Sequence, residues 1–497
     1  MHLLGFDIGS SGIKASLLDA SSGKEIAAAT SPEEELDMDA PHPGWAEQDP
    51  QTWWEHVVRA TTMVMESEAA DPQAIKGIGI AYQMHGLVMV DEHQKVLRPA
   101  IIWCDGRAVE IGNKAFADIG REYCLTHYLN SPGNFTASKL RWVKENEPDQ
   151  YARIHKVMLP GDFIAMKLTG TIRTSISGLS EGIFWDYQSH SIADRLLEYY
   201  GISPDLLPDY DPNFAISGEL TPEAAVELGL EAGTPVGYRS GDQPNNALSL
   251  NVLNPGEAAA TAGTSGVIYG ITEEPLYDKH SRVNTFVHVN HDEGQSRYGV
   301  LLCINGTGIL NSWLKNELFN GLHSYDKMNE LAATVETGAE GVTVLPFGNG
   351  PERVLGQQPI GAQVKNLDFN RHAQAHIIRA AQEGIAFSLN YGLQVMRQMG
   401  LPIDTIRVGN GNMFLSPVFR EAFTNTTGLS VELYDSSGAL GAAIGAGIGT
   451  GVFENREEAF RGLTKTDTLY PDTGMQKLYN EAYDRWHDML QKELEGE

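Results

Sequence analysis

Two short turns of the same chemistry, each following an apolar strand, constrain this chain more than any other feature. Leu3 to Asp7 reads as a buried strand, Gly9-Ser10-Ser11-Gly12 turns the chain, and Ile13 to Leu18 reads as the returning strand. Ala258 to Ala262, Gly263-Thr264-Ser265-Gly266 and Val267 to Ile271 repeat that pattern about half of the 497-residue chain later. One Gly-Ser-Ser-Gly string alone is an ordinary hairpin. Its echo at a matching point of the second half predicts two similar domains meeting near residues 245–255. A third strand over 24–30 makes the opening a β-meander, unlike the βαβ entry of a dinucleotide fold. Strands at 75–81, 87–90, 235–238 and 405–408 alternate with helices at 50–68, 326–337 and 371–399. The fold class is therefore α/β.

The same turns suit one ligand chemistry. Gly and small hydroxyl residues let backbone N–H groups converge on an anion with no bulk in the way. Two such turns facing each other across a cleft would hold the phosphates of a nucleotide from both sides. Neither has the Gly-x-x-x-x-Gly-Lys-Ser/Thr of a P-loop. Lys+Arg number 36 against 65 Asp+Glu, a formal net charge of −29. A field of that sign disfavours nucleic acid and anionic membrane as partners, and requires any phosphate site to be built locally. The three cysteines, Cys104, Cys124 and Cys303, match no zinc or redox spacing. The N-terminus lacks a basic region and reaches Asp7 early, so a reduced, cytoplasmic setting is expected. The uncharged stretch 436–453 is rich in Gly and Ala. It reads as a helix packed closely on other backbone rather than a membrane span.

Several polar residues stand where strands end. Asp7 either caps its turn or, beside a phosphate cradle, helps to hold a divalent cation such as Mg2+. Asp242, in Ser240-Gly241-Asp242-Gln243-Pro244, either caps a turn or helix or accepts the proton of an alcohol attacking a γ-phosphate. Gln83-Met84-His85-Gly86 and Trp103-Cys104-Asp105-Gly106-Arg107 close apolar runs with groups suited to a polyol. The alternatives there are a structural His, and a core Trp beside a surface Asp/Arg pair. Gly409-Asn410-Gly411-Asn412 and Gly438 to Ala443 offer two small-residue surfaces for an adenine ring. No Gly-x-Ser-x-Gly or His-Glu-x-x-His motif supports a hydrolase or zinc reading.

Taken together and in order, these segments resemble the FGGY family of carbohydrate kinases, over nearly the whole chain. The resemblance rests on Asp7-Ile8-Gly9-Ser10-Ser11-Gly12-Ile13-Lys14, Gln83 to Gly86, Trp103 to Arg107, Gly241-Asp242 and Gly263 to Gly266. Lys139-Leu140-Arg141-Trp142-Val143, Gly44-Trp45-Ala46-Glu47-Gln48-Asp49-Pro50 and Trp53-Trp54 add to it. It implies two ribonuclease-H-like domains of the actin and hexokinase type flanking a central cleft. Residues 1–250 would form the N-terminal domain, with the sugar and the first phosphate hairpin. Residues 251–497 would form the C-terminal domain, with the nucleotide and the second hairpin. The implied reaction moves the γ-phosphate of ATP, with Mg2+, to the 5-hydroxyl of a ketopentose. D-xylulose leads, with D-ribulose, L-ribulose and L-xylulose behind it.

By position, the resemblance makes Asp242 the general base and, with Asp7, a metal ligand. It assigns Met84, His85, Trp103, Asp105 and Gln243 to the sugar. Gly9, Ser10, Ser11, Gly12, Lys14, Gly263, Thr264 and Ser265 would embrace the phosphates, while Trp313, Gly409, Asn410 and Asn412 would line the adenosine pocket. Relatives commonly form homodimers. Three departures stand out: Gln243-Pro244 where the family has Asn and small residues, Gly348-Asn349-Gly350-Pro351-Glu352-Arg353 where it has Gly-Glu-Arg-Thr-Pro, and Gly409-Asn410-Gly411 in the adenine loop. The rival readings are a nucleotide-driven switch on the same scaffold and a sugar-sensing regulator, the latter without any basic DNA-binding segment.

Overall fold

The first strand, β1 (His2–Ile8), is apolar at nearly every position because both of its faces are covered. The computed structural model to which it belongs describes every residue except Glu293 and Glu497. β1 pairs antiparallel with β2 (Ile13–Asp19), and β2 antiparallel with β3 (Lys24–Ser31), giving the expected meander. β4 (Ile75–Tyr82) then runs parallel to β1, and β5 (Val236–Gly241) parallel to β4. The five-stranded order is β5-β4-β1-β2-β3.

The second sheet repeats this construction. β6 (Gly256–Ala262) pairs antiparallel with β7 (Gly266–Thr272). β8 (Asn284–Val287) lies at the edge beside β9 (Tyr298–Ile304), and β9 is antiparallel to β7. On the other side β10 (Ile403–Gly409) runs parallel to β6, and β11 (Ser430–Asp435) parallel to β10. β12 (Thr464–Leu469) closes a seven-stranded sheet of order β8-β9-β7-β6-β10-β11-β12. Without the two edge strands, strand order and directions match those of the first sheet. The echo of the two glycine turns thus marks the first corner of a duplicated sheet, and the fold is the two-domain ribonuclease-H-like α/β type.

Helices cover the faces. α1 (Pro50–Met65) starts as its sequence dictates: Asp49 accepts from Gln51 N, and Pro50 occupies the first turn. It buries Trp53 and Trp54 and ends three residues before the expected 68. Between β4 and β5 a mostly helical insertion contributes α2 (Thr136–Asn146) and α3 (Ile176–Glu181). Its core is continuous with Tyr269, Phe286 and Leu301 of the second half. α4 (Asp242–Ser249) follows β5, and α5 (Gly308–Trp313) follows β9. The helix expected at 326–337 ends at Ala333, where Thr334 Oγ1 donates to Leu331 O ahead of β-branched Val335 and Thr337. α6 (Gln374–Gln398) is the long helix expected over 371–399.

The Gly/Ala stretch forms α7 (Gly438–Gly449), which packs on β1, β4 and β5 although it comes from the far end of the chain. Contact is backbone on backbone. A Cβ on Gly5 would stand 2.0 Å from Ala439 O, one on Gly79 2.0 Å from Ala442 O, and one on Gly449 1.8 Å from Gly237 O. Only glycine permits that approach, so the stretch is a soluble-core helix as expected. Gly79→Ala is expected to destabilise the protein by about 3 kcal/mol, because a backbone carbonyl cannot move aside as a side chain can. Equilibrium urea unfolding measures this, and a midpoint unchanged from wild type would contradict the packing.

Candidate active site

The parallel ladders bring the polar strand ends together. Ile8 lies beside Tyr82, and Tyr82 beside Gly241. The chain therefore leaves β1, β4 and β5 at one edge, with Asp7, Gln83 to His85 and Asp242 as neighbours. Gln83 N donates to Ile8 O at 2.9 Å. Asp242 is the first residue of α4; Gly241 holds the cap position, and no side chain caps that helix. Burial, followed by the negative charge of Asp7, pushes the Asp242 carboxyl up to about 7, against hydrogen bonding from Gln243. Burial also raises Asp7, and Lys14, paired with it across β1 and β2, opposes that rise.

The first turn is fixed from behind. Gly9 N donates to Gly12 O at 3.1 Å. Ser10 O accepts from Gln48 Nε2 at 2.7 Å, and Ser10 Oγ from Trp103 Nε1 at 3.3 Å. Ser11 and Lys14 are exposed. In the second lobe, Ala260 lies beside Val408 and Gly409 beside Tyr434, so the turn 263–266 and the loop 409–412 leave at one edge. Gly308 N and Ile309 N donate to Gly263 O and Thr264 O at 2.9 and 3.1 Å, pinning this turn to the start of α5. A Cβ on Gly263 would be 3.5 Å from Asn412 Nδ2, whereas one on Gly411 would meet nothing within 4 Å. Asn410 Oδ1 accepts from Arg420. Trp313 ends α5 with half its surface exposed.

One charge effect and one contact join the lobes here. The Cys303 thiol, on β9, is pushed up to about 12 by burial, then by the charges of Glu352 and Asp242, against a hydrogen bond with Ser265. Asp242 of the first lobe and Ser265 of the second turn thus act on one sulfur. The start of α7 lies on Asp7, where a Cβ on Gly438 would be 2.4 Å from Asp7 Oδ2. The second small-residue surface proposed for adenine is therefore already covered by protein. Gly438 lies on Asp7, a Cβ on Gly441 would stand 2.6 Å from Ser249 Cβ, and Ala442 and Ala443 are buried under the first sheet.

The polar end of β4 packs on the end of β5 and on α3. A Cβ on Gly241 would meet Met84 Cγ at 2.6 Å and Glu181 Oε2 at 2.7 Å. His85 adopts a left-handed φ of 61°. Its backbone N donates to Glu181 Oε1 and its Nδ1 donates to Glu181 O, both at 3.1 Å. Burial and the nearby Lys139 charge push the imidazole down to about 3, so it is neutral with Nε2 left as an acceptor. Its ring packs against Phe135 at 4.8 Å and, from the second lobe, Phe286 at 5.4 Å. Lys139, fully buried, donates to His85 O and Ile102 O at 2.9 Å each. It ties the segments at Gln83 to Gly86 and Trp103 to Arg107 together. Trp103 is 41% exposed. Gln243 has a buried Oε1 without a partner.

Asp105 is placed differently from its neighbours. It is fully buried, accepting from Ala46 N at 2.6 Å and from Arg107 through both oxygens. Arg107 in turn stacks 3.7 Å from the Trp45 ring. This carboxylate holds the loop 44–47 against the Trp103 segment and has no oxygen turned to the cleft. Glu181 escaped the sequence reading because Ser180-Glu181-Gly182 is an ordinary helix end. Lys139 belongs to a segment that carries the family resemblance, but nothing in Lys-Leu-Arg-Trp-Val signals two carbonyl acceptors far away in the chain.

Among the described residues no three His, Cys, Asp or Glu side chains converge into a ready-made metal cage. Asp7 and Asp242 do supply two carboxylates whose repulsion a divalent cation would relieve. Mg2+ takes one or two carboxylates and completes its shell with water and phosphate oxygens, so these residues fit it. Asp7→Asn removes a negative charge beside Asp242 and is expected to lower the Asp242 pKa from about 7. A pH titration at zero Mg2+ checks this, and an unchanged midpoint would separate the two carboxylates.

Known proteins share this arrangement. The N-terminal domain of the FGGY family of carbohydrate kinases matches residues 2–249, and the C-terminal domain of the same family matches residues 258–450. Xylulose kinase of Escherichia coli K12 is 31% identical over 460 residues, covering 92% of this chain and 91% of that protein. The L-xylulose/3-keto-L-gulonate kinase of the same organism is 31% identical over 509 residues, 98% of this chain and 96% of that protein. The crystal structure of a xylulose kinase from Brucella ovis superposes with a TM-score of 0.87 at 27% identity, covering 98% of each chain. With both domain matches spanning most of its length, the chain belongs to the FGGY family of carbohydrate kinases.

Proposed function

We propose that this carbohydrate kinase transfers the γ-phosphate of ATP to the 5-hydroxyl of D-xylulose. The observation that carries the reading is Asp242: a strand-end carboxyl in the interlobe cleft, raised to about 7, where a general base works best at neutral pH. Its Oδ takes the proton of the attacking hydroxyl. Neutral His85 accepts a sugar hydroxyl at Nε2, Met84 supplies an apolar wall, and the unpartnered Gln243 Oε1 accepts another hydroxyl. The backbone N–H groups of Ser10 to Gly12 and Gly263 to Ser265, with Lys14, cradle the phosphates, while Gly9 closes the first turn through its bond to Gly12 O. Asp7 and Asp242 would hold Mg2+, which would supply charge neutralisation for phosphoryl transfer. Trp313, Gly409, Asn410 and Asn412 line the adenosine side. The sugar belongs to the lobe of residues 1–250 and the nucleotide to that of 251–497, with α7 reaching back onto the first sheet. Lobe closure excludes water that would otherwise hydrolyse ATP.

A second acceptor, L-xylulose, is favoured by one observation. The L-xylulose/3-keto-L-gulonate kinase is as similar to this chain as the E. coli xylulose kinase. The cysteines are all free, which supports a cytoplasmic setting. Separately, no described helix is long and apolar enough to cross a membrane.

A coupled assay over D-xylulose, L-xylulose, D-ribulose and L-ribulose tests the reading. ADP release dependent on D-xylulose, giving the 5-phosphate, is expected; ADP release without any ketose would indicate a nucleotide switch. Asp242→Ala is expected to lower kcat about a thousandfold while ATP still binds. A kcat within tenfold of wild type would remove Asp242 as the base. Because the carboxylate is the active form, kcat/KM for sugar should fall as pH drops through about 7. His85→Ala should raise the sugar KM about tenfold; an unchanged value would take His85 out of the pocket.

A further inference from the structure

The cations around the sugar wall are committed to protein partners, with one exception. Lys139 donates to two backbone carbonyls. Arg107 pairs with Asp105 and Glu47, and Arg239 with Asp162 and Thr174 O. Arg353, from the second lobe, makes no ion pair and donates no hydrogen bond among the described residues. It nevertheless points across the lobe boundary. Its guanidinium carbon lies 5.5 Å from the centre of the Phe135 ring, the same ring that packs on His85. Its Nη2 lies 3.4 Å from where a Cβ on Gly133 would stand.

The Phe135 ring, packed on His85 and facing the guanidinium, puts Arg353 beside the expected sugar segment. Its charge adds to that of Lys139 in holding His85 neutral. It also acts on Cys303, opposing the effect of the Asp242 charge there. The charge that opposes ionisation of Asp242 is instead that of Asp7, and the one that favours ionisation of Asp7 is Lys14. Desolvation brings the guanidinium itself down to about 10. A desolvated guanidinium with five donors in a fixed fork suits the adjacent oxygens of a polyol.

The residue before it explains how Arg353 is held. Glu352 is fully buried and accepts from Asn305 N and Gly306 N at 3.0 Å each. Two residues on, Gly308 N bonds to Gly263 O of the second phosphate turn. Glu352-Arg353 therefore stands on the same short piece of backbone that fixes the phosphate turn.

We infer that Arg353 is the second lobe's sugar-binding residue, reaching across the cleft to oxygens of the acceptor that lie away from the reacting hydroxyl. The inference deepens the kinase reading above and rests on it for the identity of the acceptor. Through Glu352, a sugar gripped by Arg353 draws the second phosphate turn towards the first, so acceptor binding and lobe closure are one event.

Steady-state kinetics of Arg353→Met and Arg353→Lys, with the acceptor that the ketose panel identifies, test it. Arg353→Met should raise the KM for sugar at least about tenfold, with the KM for ATP changing less than about threefold, and Arg353→Lys should recover part of the loss. A sugar KM within twofold of wild type, or an increase carried equally by the KM for ATP, would overturn the assignment. Should Arg353→Met fail to fold, phenylglyoxal modification of the wild-type protein, mapped by mass spectrometry, gives the answer. Protection of Arg353 by the sugar supports the role, and equal labelling with and without sugar overturns it. A wild type that uses another polyol in place of the four ketopentoses would refute the substrate reading. A raised KM for that polyol in Arg353→Met would still uphold the role of Arg353.

Discussion

The parallel alignment of β1, β4 and β5 governs the site, because it decides which side chains can meet at all. Asp7, His85 and Asp242 are separated by long stretches of sequence, including a helical insertion of more than a hundred residues. They become neighbours because Ile8, Tyr82 and Gly241 share one rung of the sheet. A slip of one residue in either ladder would turn each side chain to the opposite face. What prevents the slip is α7, whose backbone sits against Gly5, Gly79 and Gly237 so closely that no other register leaves room for it. The helix that fixes the first lobe's register belongs to the second half of the chain. The two halves therefore cannot be built independently.

Desolvation does the rest. A chain with a net charge of −29 is a poor general attractor for a nucleotide, so the attraction must be local. In the proposed function, backbone N–H groups of two glycine turns hold the phosphates, beside two carboxyl groups that burial makes reluctant to ionise. A reluctant carboxylate is a stronger proton acceptor, which is what alcohol attack on a phosphate requires. The same environment keeps His85 neutral, so in the proposed function the first lobe presents acceptors and apolar surface to a sugar, and the charge of Arg353 comes from the second lobe.

Much of this was legible in the sequence for a physical reason. Glycine turns after apolar strands, and polar residues at strand ends, are local patterns, and the duplication of Gly9 to Gly12 at Gly263 to Gly266 exposed the duplication of the sheet. What stayed hidden was every role set by distant partners. Asp105 looked like a sugar ligand but is occupied by Arg107 and Ala46 N, a residue fifty-nine positions earlier. The Gly438 to Ala443 surface looked open because sequence cannot show that Asp7 and Ser249 already lie on it. Glu181 carries no motif, and the segment around Lys139 shows nothing of its partners, yet both act on His85. Helix ends at Met65 and Ala333 fell short of the apolar periodicity, where capping bonds and β-branched residues decide.

The account stands on the protonation behaviour of one carboxyl group. Carbon-13 NMR of protein labelled at the aspartate side-chain carboxyls, compared with Asp242→Asn to assign the signal, reads it directly. The account predicts a resonance that titrates near 7 in the protein without nucleotide or Mg2+. A titration near 4, the ordinary range of a solvated aspartate, would contradict it.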